Sequence, residues 1–337
     1  MLGGLSNSTY AQSISADTED KQPKIGVIYS KLQDNEFMSW INYSIESSAK
    51  NKALLTIVDA IKDNVIQNEQ INDFIDKGDK VIAIDLVDRE LPTTLLNKIN
   101  ATQTAIIFFG TEPKTETFSS CEKCWYLVSN DAEQSGRLQG EIILEQWNAN
   151  KTQWDKNHDG KIQYVLLTGE PGHPIAEDRT QYVIDELKQN KANVQKLEGK
   201  TAMWDYEVAR RLMDIWLQKR GDKIEFVIAN NDGMALGAID SLETHGFYKN
   251  GKFIPVVGID GTPDALTSIE DGQMIGSVLN NAKLQGTAIF ELSYNLAIGK
   301  SPVNDSRWTV DDKRYIHIPN VKVTKENVIT AQHAYEY

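Results

Sequence analysis

The chain contains no run of about eighteen apolar residues, the length a helix needs to cross a bilayer, so nothing in the sequence as given spans a membrane. It also lacks a surplus of positive charge. Asp and Glu number 48 against 35 Lys and Arg, and the resulting net charge of −13 argues against nucleic acid, whose phosphates demand a basic face. With a pI near 4.9 the chain is a poor match for an anionic lipid surface as well. Cysteine is nearly absent. Cys121 and Cys124 form one C-x-x-C with no second pair, which leaves half a zinc site, a redox pair or a small disulfide loop. The flanking Phe118-Ser119-Ser120 and Trp125-Tyr126 point to a surface turn before a strand. No Ser/His/Asp set, phosphate loop or G-x-G-x-x-G supports catalysis. Residues 1–23 are polar, Ser/Thr-rich and without the apolar core of a signal peptide, so they read as a disordered tether or an expression remnant.

The 337 residues exceed one typical core, and at roughly one domain per ~150 residues they predict two. A hydrophobic share of 40% with 25% charged residues is ordinary for a globular protein. The most informative stretch is Asp155-Lys156-Asn157-His158-Asp159-Gly160-Lys161-Ile162-Gln163, where oxygen-bearing side chains alternate and a glycine stands sixth. Such a loop wraps a hard cation: ligands come from positions one, three, five, seven (a main-chain carbonyl) and nine, and a bidentate Glu closes the sphere at position twelve. Position twelve is Leu166, inside the apolar run Ile162-Gln163-Tyr164-Val165-Leu166-Leu167, which reads as a strand. The closing carboxylate must therefore come from elsewhere. The bland alternative is an Asp/Asn/Gly turn that binds nothing.

From Lys24 onward strands and helices alternate. Apolar runs at Ile25–Tyr29, Leu54–Val58, Val81–Leu86, Ala105–Phe109 and Trp125–Ser129 precede the loop. Runs at Ile162–Leu167, Val194–Leu197, Ile224–Ala229, Ile254–Ile259 and Ile275–Leu279 follow it, with helical spacing between, as over Phe37–Lys50 and Asp131–Asn148. Two-sided apolar runs fit parallel strands buried under helices, giving an α/β chain with two doubly wound sheets. Open parallel sheets bind small molecules beyond the carboxyl ends of their strands. Asn35, Phe37, His173, Arg179, Trp204, Asn230-Asn231-Asp232, Asp260 and Asn280-Asn281 fall at those ends. Amides, carboxylates, one guanidinium and two aromatics suit a sugar, whose hydroxyls donate and accept while its C–H faces stack on rings. Each residue alone has a plainer reading: Asn231 as a helix N-cap, His173 in a turn beside Pro174, Trp204 in the core and Arg179 as a surface charge.

Taken in order, Lys24-Ile-Gly-Val-Ile, Phe108-Phe109-Gly110-Thr111-Glu112-Pro113, Trp154 through Gln163, Leu167-Thr168-Gly169-Glu170-Pro171-Gly172-His173-Pro174, Thr201-Ala202-Met203-Trp204-Asp205, Ala229-Asn230-Asn231-Asp232 and Gly276-Ser277-Val278-Leu279-Asn280 resemble the periplasmic galactose/glucose-binding proteins of bacterial sugar uptake and chemotaxis. The resemblance covers about residues 24–330. It implies a type I periplasmic-binding-protein fold: two doubly wound lobes, 24–130 plus 281–318 and 131–280 plus 319–337, joined by a three-crossing hinge near Ser129–Asp131, Leu279–Asn281 and Ile318–Val321. It implies a structural Ca2+ held by Asp155, Asn157, Asp159, the Lys161 carbonyl, Gln163 and the distant Glu225. For the sugar it implies Phe37 and Trp204 as stacking rings and Asn35, His173, Arg179, Asn231, Asp260 and Asn280 as polar ligands.

Three positions depart from the family pattern. Asn35 stands where an Asp is expected, with Asp34 beside it; Gly110 replaces an Asn; Ile175 replaces an Asp. Losing polar groups opens volume for a glycoside or disaccharide, or leaves a weaker sugar sensor. The expected function is an extracytoplasmic, monomeric binding protein that closes on a galactose- or glucose-like sugar and presents the closed form to an ABC permease or a membrane sensor such as a chemoreceptor or histidine kinase. Two other classes fare worse. A transcription repressor of related fold needs a basic helix-turn-helix module that 1–23 cannot supply, and a sugar hydrolase would have to rely on carboxylates such as Asp232 and Asp260.

Overall fold

The computed structural model describes residues 22–33, 36–128, 131–249 and 251–335. The expected tether lies almost wholly outside the described residues, as do Asp34, Asn35 and the crossing residues Ser129 and Asn130. In chain order the first elements are β1 (Lys24–Tyr29), α1 (Glu36–Ala49), β2 (Leu54–Asp59), α2 (Asn64–Asp76), β3 (Val81–Asp85), α3 (Thr93–Ala101), β4 (Ala105–Phe109), α4 (Thr115–Ser119) and β5 (Cys124–Val128). Then come α5 (Ala132–Ala149), α6 (Lys151–Trp154), β6 (Lys161–Thr168), α7 (Pro174–Gln189), β7 (Asn193–Thr201), α8 (Tyr206–Arg220), β8 (Phe226–Ala229) and α9 (Asp232–Thr244). The chain ends with β9 (Val256–Val257), α10 (Pro263–Glu270), β10 (Ser277–Leu279), α11 (Ala282–Ala297), β11 (Tyr315–His317), β12 (Val321–Val323) and α12 (Val328–Gln332). No described helix is long and apolar enough to cross a membrane.

Packing divides the chain into two units, Met1–Lys31 with Glu46–Cys124 and Phe290–Ser306, and Leu32–Ile45 with Trp125–Ile289 and Arg307–Tyr337. In the first, β1 pairs in parallel with β2 and β3, and β3 with β4, so the order is β4-β3-β1-β2. Every residue of β3 and β4 is buried, which is why both read as unbroken apolar runs. In the second unit the parallel order is β7-β6-β8-β9. Parallel bridges Val257 to Gly276 and Asp260 to Leu279 lead on to β10, which pairs antiparallel with β12. β11 pairs in parallel with β5, setting Tyr315 opposite Tyr126 with their rings 5.2 Å apart.

Two strands differ from the sequence reading for identifiable reasons. β9 keeps only Val256 and Val257 of the expected Ile254–Ile259, because Pro255 brings no N–H to the ladder. β7 runs to nine residues, twice the apolar run, because most of its side chains stand in water at a sheet edge and need not be apolar. Cys121 and Cys124 form a disulfide, so of the three chemistries open to the pair it is the small loop that forms. Both cysteines are fully buried, while Ser119, Ser120 and Glu122 beside them are exposed, so the turn before β5 lies at the surface with its sulfurs turned inward.

The second unit is tied to its helices by buried polar anchors as well as by its core. Gln139 of α5 has no exposure, and its Nε2 donates to the carbonyls of Ala229 (2.8 Å), Gly258 (3.1 Å) and Val257 (3.3 Å), all at strand ends. A residue of similar size without the amide would leave those acceptors dry. Gln139→Leu is therefore expected to lower stability by about 1–3 kcal/mol, read from urea unfolding midpoints; an unchanged midpoint would show that the carbonyls find other donors.

Candidate ligand site and metal loop

The residues flagged at strand ends in the second unit form one connected network. Arg179, on α7, is 3% exposed; its guanidinium donates to the Asn230 carbonyl at 2.6 Å and pairs with the Asp260 carboxylate at 3.1 Å. It is not the surface charge of the plainer reading. Asp260 reaches the next strand through its backbone, donating to the Val278 carbonyl and accepting from the Asn280 N–H, both at 2.9 Å. Asn280 is 1% exposed. Its Oδ1 accepts from Gln285 Nε2, while its Nδ2 is buried with no hydrogen-bond partner. Asn230 is also fully buried, with Oδ1 accepting from the Gly169 N–H and the Thr180 hydroxyl at 3.1 Å each and Nδ2 without a partner.

The aromatic wall is built under backbone strain. Met203 and Trp204 both adopt left-handed φ, 57° and 63°, on the two residues before the Asp205 cap of α8. The Trp204 indole lies on the backbone of Gly169, where an added Cβ would come within 2.1 Å of the ring, so only glycine fits. His173 meets the indole edge-on at 5.6 Å. Asp260 is likewise forced into positive φ, 123°. Strain of this kind persists where surrounding packing holds it and clusters at ligand sites. Asn231 does what the plainer reading expected, capping α9 by accepting from the Met234 N–H at 3.0 Å, and it stands half-buried at the same strand ends.

Phe37 lies in the first turn of α1, half-buried, and is not in this network. Asn35 is outside the described residues. Gly110 does not open the space expected of it. A Cβ there would lie 2.5 Å from Asp85 Oδ1, so a carboxylate fills that side. Ile175, in the first turn of α7, is half-buried.

Sequence reasoning missed Gly169, which carries no signal beyond standing in a quoted segment, and named Asn230 and Asp232 at the strand ends without giving either a role. Asp232 is fully buried and accepts from the Thr262 N–H (2.9 Å) and the Ser277 hydroxyl (2.7 Å). Burial first, then the Asp260 charge, pushes its carboxyl well above the usual range.

The loop at Asp155–Gln163 has the shape of a cation wrap. His158 and Gly160, its fourth and sixth residues, take left-handed φ of 61° and 73°. Glu225 reaches it from the residue before β8, its Oε1 accepting from the Lys156 N–H (2.8 Å) and its Oε2 from the Gln163 N–H (2.9 Å). Asp155 Oδ2 accepts from the Gly160 N–H at 3.0 Å, and Oδ1 is buried with no hydrogen-bond partner. Asp159 accepts from Gln163 Nε2 at 2.8 Å. Burial pushes the Glu225 carboxyl up, and the Asp155 charge adds to that push. Among the described residues no three His, Cys, Asp or Glu side chains stand close enough to hold a metal by themselves. The fit rests on a mixed oxygen set, in which Asn157, Gln163 and the Lys161 carbonyl join the carboxylates, and an orphaned carboxylate oxygen beside a second buried carboxyl matches the demands of a hard cation. Leu166 is core within β6, as its place in the loop count required.

Comparison with known proteins agrees with this architecture. The periplasmic binding protein domain family matches residues 25–301. The D-galactose/methyl-galactoside binding periplasmic protein MglB of Haemophilus influenzae is 41% identical over 308 residues, 90% of either chain. A putative rhizopine-binding protein of Rhizobium meliloti is 30% identical over 302 residues, 89% of either chain. Among solved structures, an ABC transporter solute-binding protein of Bacillus halodurans with bound myo-inositol superposes with TM-score 0.75 at 28% identity, covering 93% of this chain and 98% of that one. The chain belongs to the periplasmic binding protein family, whose members act outside the cytoplasm by holding a substrate rather than converting it.

Proposed function

We propose that the protein binds a sugar of the galactose type, as the free monosaccharide or its methyl glycoside, and delivers it to an ABC permease. The observation that carries this reading is the pair of buried, unpartnered amide donors, Asn280 Nδ2 and Asn230 Nδ2, set around the Arg179–Asp260 ion pair. A dry amide without an acceptor costs about 1–3 kcal/mol, and a sugar hydroxyl is an acceptor of the right size. The name of the 41%-identical relative favours galactose and its methyl glycoside over other polyols. Trp204, held by Gly169 and His173, offers a ring for the apolar face of a pyranose. Binding shifts the protein toward a closed form, which the permease reads; the chain works as a monomer.

The same reading gives the Asp155–Gln163 loop a structural Ca2+, with Asp155, Asn157, Asp159, the Lys161 carbonyl, Gln163 and Glu225 as its oxygen donors. The ion supplies positive charge where Asp155 and Glu225 are buried together and pins β8 to the start of β6. It takes no part in sugar recognition.

Titration calorimetry with D-galactose, D-glucose, D-xylose and methyl β-D-galactoside tests the sugar. Galactose or its methyl glycoside is expected to bind, and Trp204→Ala to weaken binding at least about tenfold. If none of the four binds, the reading fails. For the metal, an ion present at a hundredfold excess over its Kd adds about 2.7 kcal/mol to the folded state, so EDTA is expected to lower Tm by roughly 5–10 °C. Glu225→Gln should lose most of that response. A Tm indifferent to EDTA would mean the loop is a turn and nothing more.

A further inference from the structure

An Asn side chain has two ends of nearly equal shape and opposite hydrogen-bond character, so a neighbour must decide which end of a buried Asn stays unpartnered. For Asn280 that neighbour is on α11. Its Oδ1 accepts from Nε2 of Gln285, and Nδ2 is then the end left over. Turned over, Asn280 would set Nδ2 against Gln285 Nε2, two donors with no acceptor between them.

The helix that carries Gln285 is fixed at both sides of it. Gln285 lies in the first turn of α11 and is 2% exposed. Asn281 caps that turn by accepting from the Leu284 N–H at 2.8 Å, so α11 begins directly after Asn280. At Gly286 the helix lies so close to α1 that an added Cβ would come within 2.4 Å of the Ile41 carbonyl oxygen. The Ser44 hydroxyl donates to the Lys283 carbonyl at 2.7 Å in the same contact. All of these residues belong to the second unit. α11 therefore has no room to slide and release the amide.

Asn230 is oriented in the same way by different donors. Its Oδ1 accepts from the Gly169 N–H and the Thr180 hydroxyl, and Nδ2 is again the end left over. The Gly169 donor is main chain, which leaves Thr180 as the side chain that substitution can remove.

We propose that Gln285 is the positioning residue that makes Asn280 a donor toward the ligand, and that Thr180 does the same for Asn230. The inference rests on the sugar reading and deepens it: the second unit selects a ligand that offers lone pairs at two points, and residues that never touch the ligand set that preference.

The test is calorimetry on the full chain with D-galactose and methyl β-D-galactoside, and with the monodeoxy and monodeoxyfluoro analogues of whichever binds. Wild type, Gln285→Glu, Gln285→Met and Thr180→Val are compared, with Tm and circular dichroism as checks on folding. Fluorine accepts but cannot donate, so at the ring position facing Asn280 the fluoro analogue is expected to bind wild type more tightly than the deoxy analogue, by about threefold or more. Gln285→Glu puts an acceptor-only carboxylate in place of the amide. It claims Nδ2 and turns Oδ1 toward the ligand, so the parent sugar should bind about tenfold more weakly and the fluorine advantage should vanish. Gln285→Met removes the donor at nearly constant volume and should shrink that advantage; should the Glu variant fail to fold, the Met variant decides. Thr180→Val, with the Gly169 N–H still in place, should cost about threefold. A purely packing role for Gln285 would weaken all analogues alike. Folded Gln285 variants that keep the fluoro-to-deoxy ratio of wild type at every position overturn the inference, as does a wild type that prefers fluorine at none; both leave the sugar reading standing. A wild type that binds neither sugar ends both.

Discussion

A guanidinium removed from water must find carboxylate or carbonyl partners at close range, and much of the second unit's ligand end is arranged around that demand at Arg179. Its partners come from two different strand ends, the Asn230 carbonyl after β8 and Asp260 after β9. The second partner brings a difficulty of its own. Asp232 is buried near Asp260, and the like charge together with burial pushes its carboxyl up. The Ser277 hydroxyl and the Thr262 N–H oppose that push by donating to the ionised form. A buried ion pair is often no more stabilising than apolar packing of the same volume. Its presence here is better understood as a means of holding polar groups at fixed positions than as a source of stability.

The aromatic wall obeys the same logic with different forces. Two consecutive left-handed residues, Met203 and Trp204, are held against about 1–3 kcal/mol of strain each, and a glycine is needed beneath the ring at Gly169. The result is an indole held in one place, with His173 at its edge. On the proposed sugar reading, a ring held in this way loses little side-chain entropy on binding, so more of the stacking energy remains as affinity.

What could be read from the sequence depended on whether a feature was local. The alternation of strands and helices was legible because β3, β4 and β6 are covered on both faces and so are written as continuous apolar runs. β7 was read short because an edge strand carries no such requirement. The Asp155–Gln163 loop was legible as a turn of alternating oxygen-bearing side chains, since those residues are consecutive, whereas the approach of Glu225 to Lys156 and Gln163 belongs to the tertiary fold and came only through the family resemblance. Arg179, Trp204, Asp260 and Asn280 could be flagged as odd residues at strand ends. The contacts that make them one network could not. Asp85 escaped notice entirely: in sequence it is one more acidic residue ending an apolar run, and Ser30 and Thr111 lie 55 and 26 positions away from it.

Asp85 and Asp260 show how one functional group takes opposite roles in the two units. Asp260 faces a cation, so its charge is largely neutralised, and the neighbourhood keeps its donor character in the amides of Asn230 and Asn280. Asp85 faces only neutral N–H and O–H donors, which it orients toward itself, so the outward character of Ser30 and Thr111 is that of acceptors. The glycine at position 110 is what leaves room for that carboxylate, since a Cβ there would lie 2.5 Å from Asp85 Oδ1.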